Sequence, residues 1–570
     1  MTDQGYSSVA ETKRILDLVL SAVQIPAEAE TISKAVHFSA SRDLPYFPIP
    51  FKETELASAL KAIEGGVAGA LAATKDGDAS GGKDKKVSVN LEKSTAFLIQ
   101  AYLATVGGYG KLDREVKRFL KDTDLLQAQS DPYRRMSANL YETKQPGEYY
   151  HIHGSLEAST TLGMIGLEPF RPDLKDHTAI VEAIESHVKQ FTVDELERMN
   201  ADKRQAGVPV LKHEDFLKTP HGKTNVSLPP WSVDSLETAT PPAPLPSTSD
   251  KRVLSGVKVL ELCRIIAGPV VGRILAEYGA DVLKITSPNL SDVPFFQVDG
   301  NMGKHAADLD LKTEEGRRHF ETLLAEADVV LDGYRPGALE KLGYGATALT
   351  KLAKERGKGF VYVNENCFGY QGEWCQRPGW QQIADCVSGV AWAQGQFMGL
   401  DEPVVPPFPI SDYGTGCMGA IAALTGLYNR ATQGGSWHGK ASLLQYDLLL
   451  IKAGKYPDEV QRELRKLAGE DFLALRHSHS VDQISGTALK AMKRYAPELF
   501  SSSNIREKWY ARRYKADVEA VSPVVEIEGV EIGFKRASRP NGSDEASWDF
   551  GPEEDHRIVA HTNGVSHGVN

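Results

Sequence analysis

An aspartate framed by prolines and glycines is the strongest candidate for chemistry in this chain. It is Asp412, in a stretch at 405–417 that reads Val-Pro-Pro-Phe-Pro-Ile-Ser-Asp-Tyr-Gly-Thr-Gly-Cys. The prolines stiffen the approach, Gly414 and Gly416 let other groups come close, and the small-residue run at 418–427 has the composition of a buried helix. This pattern predicts Asp412 at or just before a helix N-terminus. There, backbone N–H groups favour a carboxylate and can stabilise an oxyanion formed on it. Two roles remain open from these residues: an N-cap that closes the helix, or a carboxylate nucleophile.

Other reactive residue types are dispersed. The segment Leu140-Tyr-Glu-Thr-Lys-Gln-Pro-Gly-Glu-Tyr-Tyr-His-Ile-His-Gly predicts two strands joined at Pro146-Gly147, with His151 and His153 on one face of the second. Two histidines at that spacing could ligate a metal, but no third ligand is near, so they are assigned to strand packing and no metal is expected. Five cysteines, Cys263, Cys367, Cys375, Cys386 and Cys417, form no close pair and are read as reduced thiols of an intracellular protein.

The elements that must position these groups fall into several units. A length of 570 residues suggests three or four. Hydrophobic content of 41%, charged content of 25% and a net charge of -11 describe a globular protein with no general affinity for nucleic acid. No apolar run approaches the roughly 18 residues of a membrane helix, so no membrane is expected. The start Met-Thr-Asp-Gln-Gly-Tyr lacks a secretory pattern and the end Gly-Val-Asn is not a peroxisomal address. The expected location is the cytoplasm, with the mitochondrion as the alternative.

Ser8 and Glu11 predict a capping box ahead of an amphipathic helix. Residues 45–73 pass from a Pro-rich segment into an Ala/Leu/Gly helix, 76–86 form a polar loop, 87–91 a strand and 94–106 an apolar helix. The hairpin at 140–154, helices at 179–191 and 193–206, and an extended 207–211 make a small α+β module. Six prolines at 226–252 mark an interdomain linker. Strands at 257–262, 280–286, 327–332 and 360–364 then alternate with helices, as in a nucleotide-binding α/β unit. The dinucleotide fingerprint is absent, only Ala267-Gly-Pro occupying its turn, which argues against hydride transfer. Residues 537–570, rich in Gly, Ser, Asp, Glu and His, are read as a mobile tail.

Eight segments in this region carry a resemblance. Gly256-Val-Lys-Val-Leu-Glu-Leu, Ala267-Gly-Pro, Gly279-Ala-Asp-Val-Leu-Lys-Ile, Leu309-Asp-Leu-Lys-Thr, Gly333-Tyr-Arg-Pro-Gly, Phe368-Gly-Tyr, Arg377-Pro-Gly and Ser411-Asp-Tyr-Gly-Thr-Gly occur in the order seen in the class III CoA-transferases. This CaiB/BaiF family includes formyl-CoA transferases and α-methylacyl-CoA racemases. The resemblance implies an α/β fold: a Rossmann-like large domain that holds CoA, with a smaller α+β domain. Here the order is rearranged, because the module resembling the small domain precedes the CoA-binding part, and residues 50–98 resemble 409–448 as a degenerate half repeat with Lys52 opposite Asp412 and Glu53 beside it. The implied organisation is a half repeat at 1–125, the small domain at 126–225, the linker at 226–252, the catalytic large domain at 253–536 and the tail at 537–570.

The resemblance also implies the chemistry. Asp412 matches the family's nucleophile, which attacks an acyl-CoA thioester to give a mixed anhydride and then an aspartyl-CoA thioester. Arg264, Ile266, Ala267, Leu309, Lys312, Gly333, Tyr334, Arg335 and Lys341 match CoA-contacting positions, and for Lys312, Arg335 and Lys341 the physical case is attraction of phosphate. Ser287 stands where transferases often have an arginine. Trp380 could cover the pantetheine or acyl group or serve as core. CoA and acyl-CoA are expected as substrates with no tightly bound cofactor, the partner being a small carboxylic acid, and the assembly a homodimer or an intrachain pseudo-dimer. The alternative is racemisation next to the thioester, which needs a second acid/base group; racemases carry a histidine after Arg-Pro-Gly, whereas this chain has Gly379-Trp-Gln, leaving Asp385 as a substitute. A CoA-binding protein without turnover is the third reading.

Overall fold

The computed structural model describes residues 5–78, 80–552 and 555–558. Its centre is a seven-stranded sheet ordered His305–Asp308, Asp281–Thr286, Lys258–Leu262, Val329–Asp332, Val361–Asn366, Ser436–Ser442 and Trp231–Glu237. The first six strands run parallel, and in chain order they read 3-2-1-4-5-6, the order of a doubly wound nucleotide-binding sheet. Both faces of the central strands are buried, so Val329–Asp332 opens Val-Val-Leu and Lys258–Leu262 carries Val, Leu and Leu, while the outer Ser436–Ser442 is more polar. Val259, Val329, Leu331 and Val363 meet the helices Ala267–Glu277 and Ile410–Gln433 on one face. Leu260, Leu262, Val330 and Tyr362 meet Glu314–Glu326 and Ala346–Arg356 on the other.

The seventh strand corrects the linker assignment. Trp231–Glu237 lies within the Pro-rich 226–252 and pairs antiparallel with Ser436–Ser442, closing the sheet edge. Trp231, Ser232 and Val233 supply a β-prone start that the surrounding prolines obscure. The tail assignment changes too. Ala537, Ser538, Arg539 and Asn541 are buried, Asn541 donates to Asp292 at 2.7 Å, Trp548 Nε1 donates to the Leu323 carbonyl, and His556–Ile558 pairs with Arg506–Ala511. Its polar composition reflects hydrogen bonding to the large domain. Residues 559–570 lie outside the described residues.

The N-terminal residues share one continuous core with the sheet's first face; Ile63 and Leu424 belong to the same cluster. The helix Glu53–Asp76 packs against Ile410–Gln433, and both have 24 residues. A strand and a side-chain-capped helix follow each: Val87–Asn90 with Leu91–Phe97, and Ser436–Ser442 with Leu443–Ala453. Glu53–Asp76 is long and apolar enough to cross a membrane, contrary to the reading that no such run exists, but it is buried inside the protein. The predicted capping box does not form: Ser7 in place of Ser8 caps the helix Ser8–Leu20, and Glu11 pairs with Arg14 and Lys52. The expected helix at 94–106 stops at Phe97 and ends in the strand Thr105–Val106, which joins a separate four-stranded sheet.

The small module forms as expected from its hairpin, Ala138–Glu142 with Tyr149–His153, and the helices His177–Val188 and Val193–Lys203. It docks on the large domain through Arg377, which donates to Glu197 at 3.0 and 3.1 Å and to the Gly207 carbonyl at 2.8 Å. Glycine makes the central helix contact possible. A Cβ at Gly414 would lie 1.8 Å from Tyr446 Cε2, and one at Gly416 would lie 2.5 Å from Val270 and 2.8 Å from the Ala267 carbonyl. Gly414→Ala therefore overpacks this contact and is expected to destabilise the protein by roughly 1–3 kcal/mol, read as a lower urea midpoint. The exposed helical Gly163 meets nothing within 4 Å, so Gly163→Ala should lose no stability in the same measurement.

Candidate active site

Asp412 sits in the first turn of Ile410–Gln433, behind the N-cap Pro409. It is half-buried, and among the described residues none hydrogen-bonds its carboxylate. A capping role is thereby removed, since an N-cap side chain accepts a backbone N–H two or three residues on. Burial, then the charges of Glu365 and Asp385, hold its pKa well above the usual carboxylate range.

The carboxylate lies in the wall of a cavity of about 540 Å³. That cavity occupies the crevice beyond the C-terminal ends of Lys258–Leu262 and Val329–Asp332, where the strand order reverses and open α/β sheets take their ligands. Arg264, Ile266 and Ala267 reach it from the first strand, and Gly333, Tyr334 and Arg335 from the second. Gly268 and Gly333 bring these loops together over Cys263: a Cβ at Gly268 would fall 2.7 Å from Cys263 Cβ and 3.6 Å from the Gly333 backbone. Ile265 between them has φ +68°, a left-handed conformation costly for a β-branched residue. Asp332 accepts from the Tyr334 N–H at 3.1 Å and from Tyr362 and Asn364 at 2.8 Å each, fixing the second loop. Neither Arg264 nor Arg335 has a side-chain partner among the described residues, so two cationic heads face this crevice unpaired.

A second cavity, about 500 Å³, meets the first at Asp412. Ser155, Leu156, Ile265, Ile266 and Trp380 are the other residues common to both walls. Trp380 is half-buried, donates from Nε1 to Ser155 Oγ at 2.8 Å, and stacks on His153 with ring centroids 5.5 Å apart. His153 therefore lines this cavity as well as packing on its strand. Its Nδ1 accepts the Ser155 N–H at 2.9 Å, and because a backbone amide can only donate, the neutral ring carries its proton on Nε2. Burial holds His153 neutral by pushing its pKa well below the ordinary value.

The structure gathers Arg264, Ile266, Ala267, Gly333, Tyr334, Arg335, Trp380 and Asp412 around the first cavity. Leu309, Lys312 and Lys341 are not in its wall: Leu309 packs beside the core of the sheet's second face, and both lysines are exposed. Ser287 lines a smaller adjoining cavity of about 160 Å³ together with Arg264 and Lys121, so a cation from the N-terminal part stands beside the missing arginine. Sequence reasoning passed over Glu365, at the C-terminal end of its strand, which lines the first cavity; burial, then the Asp332 charge, raise it to about 8. An acid at a strand end beside the switch point was the available signal. Asp385 is walled in by Gln381, Ser411 and Asp447, is raised to about 7 by burial, and lines neither cavity.

The sequence model of CoA-transferase family III matches residues 254–461. The chain is 31% identical over 541 residues to an acetyl-coenzyme A transferase, nodX, of Hypoxylon pulicicidum, covering 92% of this chain and 90% of that protein. An acyl-CoA transferase of Gibberella moniliformis is 33% identical over 460 residues, 79% of this chain and 80% of the relative. Among solved structures, a CaiB/BaiF family protein from Brucella suis aligns over 51% of this chain and 96% of its own, at 20% identity and a TM-score of 0.37.

Because the Glu365 charge opposes ionisation of Asp412, Glu365→Gln should lower the pH at which Asp412 ionises. Carbon-13 titration of the aspartate carboxyls measures the shift; an unchanged or higher midpoint would contradict the coupling.

Proposed function

The chain belongs to CoA-transferase family III and is a CoA-transferase, and from that premise we propose that Asp412 carries CoA between acids by covalent exchange. The Asp412 carboxylate attacks the carbonyl carbon of an acyl-CoA thioester, the C–S bond breaks, and CoA leaves as thiolate, giving an aspartyl-acyl anhydride. The thiolate attacks the aspartyl carbonyl, releasing the donor acid as carboxylate and leaving an aspartyl-CoA thioester. The acceptor carboxylate repeats the first step on this thioester and the returning thiolate the second, so the products are a new acyl-CoA and free Asp412. Splitting the transfer in this way replaces one hard displacement by several easier ones.

The observation that carries the reading is the position of an unpaired carboxylate where two cavities meet. One cavity presents Arg264 and Arg335 at the sheet's switch point, suited to the phosphates of CoA. The other is free to hold an acyl group. Holding thioester and carboxylate together removes much of the entropic part of the barrier. His153 Nε2–H is a donor available to a developing oxyanion.

Epimerisation finds less support, since it needs two groups, each able to take as well as give a proton, on opposite faces of one carbon. The Nε2 of His153 already carries a proton, and Asp385 is enclosed. We also read residues 1–225 as a worn copy of the family's second half, placed ahead of a working first half, so that one chain supplies both sides of the site. The paired 24-residue helices support this. At the head of the first one Lys52 is spent on Glu11, Glu53 accepts from Tyr446, and Glu55 accepts from Tyr6 and Tyr456. Among the described residues, no free carboxylate stands there to serve as a second nucleophile.

Trapping with hydroxylamine or borohydride after incubation with acyl-CoA thioesters should place the modification on the peptide containing Asp412. Asp412→Asn should keep CoA binding and lose turnover by roughly a thousandfold or more; equal activity in the two proteins would reject Asp412 as nucleophile. Arg264→Gln and Arg335→Gln should each weaken CoA about 10-fold or more, by calorimetric titration.

A further inference from the structure

The second cavity differs from the first in its charge. Its apolar wall is built from Val116, Leu156, Phe295 and Phe296, and two cations project into it from the N-terminal part, Lys111 and Arg135. Lys111 is compensated: its Nζ lies 2.5 Å from Asp482 Oδ1. The carboxylate of Asp124 is also spent, accepting the N–H groups of Ala128, Gln129 and Ser130 at 3.1, 2.9 and 2.7 Å. Lys117 and Asp122, opposite in sign, are exposed at the rim.

Arg135 is different. It is half-buried, and its guanidinium has no hydrogen bond or ion pair among the described residues. The short helix that carries it, Pro132–Arg135, is held by its neighbour. Arg134 is buried and donates to Ser159 Oγ at 3.1 Å, to the Pro169 carbonyl at 2.9 Å and to the Leu126 carbonyl at 2.9 Å. One arginine of the pair therefore anchors the turn, and the other is left to face the cavity. The charge of Arg135 also reaches His153, beside Trp380, and Asp482: burial and then His151 do more to hold His153 low, while at Asp482 burial pushes up and Lys111, ahead of Arg135, pulls down.

A half-apolar cavity with a guanidinium that lacks a hydrogen-bonded partner is a poor match for an acid that is uniformly apolar, because such a ligand would desolvate the charge without pairing it. A planar guanidinium matches a carboxylate through two parallel N–H···O bonds. Resting on the reading of Asp412 as the exchanging carboxylate, we propose that Arg135 is a specificity-determining residue that binds the far carboxylate of a dicarboxylic acid whose other carboxyl exchanges at Asp412. The volume of about 500 Å³ leaves room for an apolar chain between the two charges.

Hexanedioate and hexanoate have the same chain and differ in the far charge, so they make the test. In Arg135→Gln the ratio of kcat/KM for hexanedioate to that for hexanoate should fall roughly 10- to 100-fold, the range for a lost charge-assisted pair, with Arg135→Lys recovering part of it. A ratio within about twofold of the unaltered enzyme would overturn the assignment. A second measurement needs no turnover: calorimetric titration of hexanedioate into Asp412→Asn and into Asp412→Asn with Arg135→Gln. Binding at least roughly 10-fold weaker in the double variant upholds the subsite even if no transfer is seen, in which case the covalent route fails alone. Equal binding in the two, or none in either, overturns the subsite even if Asp412 proves to be the nucleophile.

Discussion

The contact between the helix that begins at Ile410 and the one that begins at Ala267 governs the rest of the structure. Both start at the same end of the sheet, and their first turns touch because Gly416 has no Cβ to meet the Ala267 carbonyl or Val270. Gly414, two residues earlier, does the same against Tyr446. With these contacts, the third residue of the later helix stands beside the loop that follows the first strand. A side chain at Gly416 would collide with the Ala267 carbonyl and Val270 and so crowd the helix that carries Asp412 off the loop at Ile266 and Ala267. The short Val-rich strands, the strained Ile265 and the glycine at 333 are all arranged around this approach.

That approach puts charge in an awkward place. Asp412, Glu365, Asp385, Asp447 and Glu53 lie in or near the same interior, and burial raises every one of them. Such a group favours its protonated form in the folded state. Its contribution to stability is complete below the ordinary carboxylate range and declines as pH climbs toward the folded value, which is about 8 for Glu53. The deeper acids are reconciled with burial by hydrogen bonds from Ser411, Ser388 and Tyr446. Among the described residues Asp412 and Glu365 have no such partners, and they are the two that face the crevice.

Much of the α/β part was legible because its signals are local. The alternation of strands and helices from 257 onward, the prolines before Asp412 and the glycines after it can each be read within a few residues. The place of Asp412 in the first turn of a helix follows from them. What escaped depends on residues far apart in the chain. Trp231–Glu237 is a strand because Ser436–Ser442 offers it an edge, about 200 positions later. Arg135 and His153 reach the Asp412 cavity only because the small module docks through Arg377 and Glu197. The family register suggested Lys312 and Lys341, but register carries no information on which way a surface lysine turns.

The C-terminal segment from 537 onward bears on how shortened forms of this protein are to be interpreted. Asn541 reaches Asp292 with its side chain and receives the Lys121 ammonium on its carbonyl at 2.8 Å, so the segment straps the N-terminal part to the loop beside Ser287. Ending the chain at 536 would remove no residue that lines the 540 Å³ crevice. It would nevertheless release Lys121 and uncover Asn301, which donates to the Arg539 carbonyl and to Asn541. A truncation chosen from composition alone would then imitate a binding-site mutation while leaving the binding site's sequence intact.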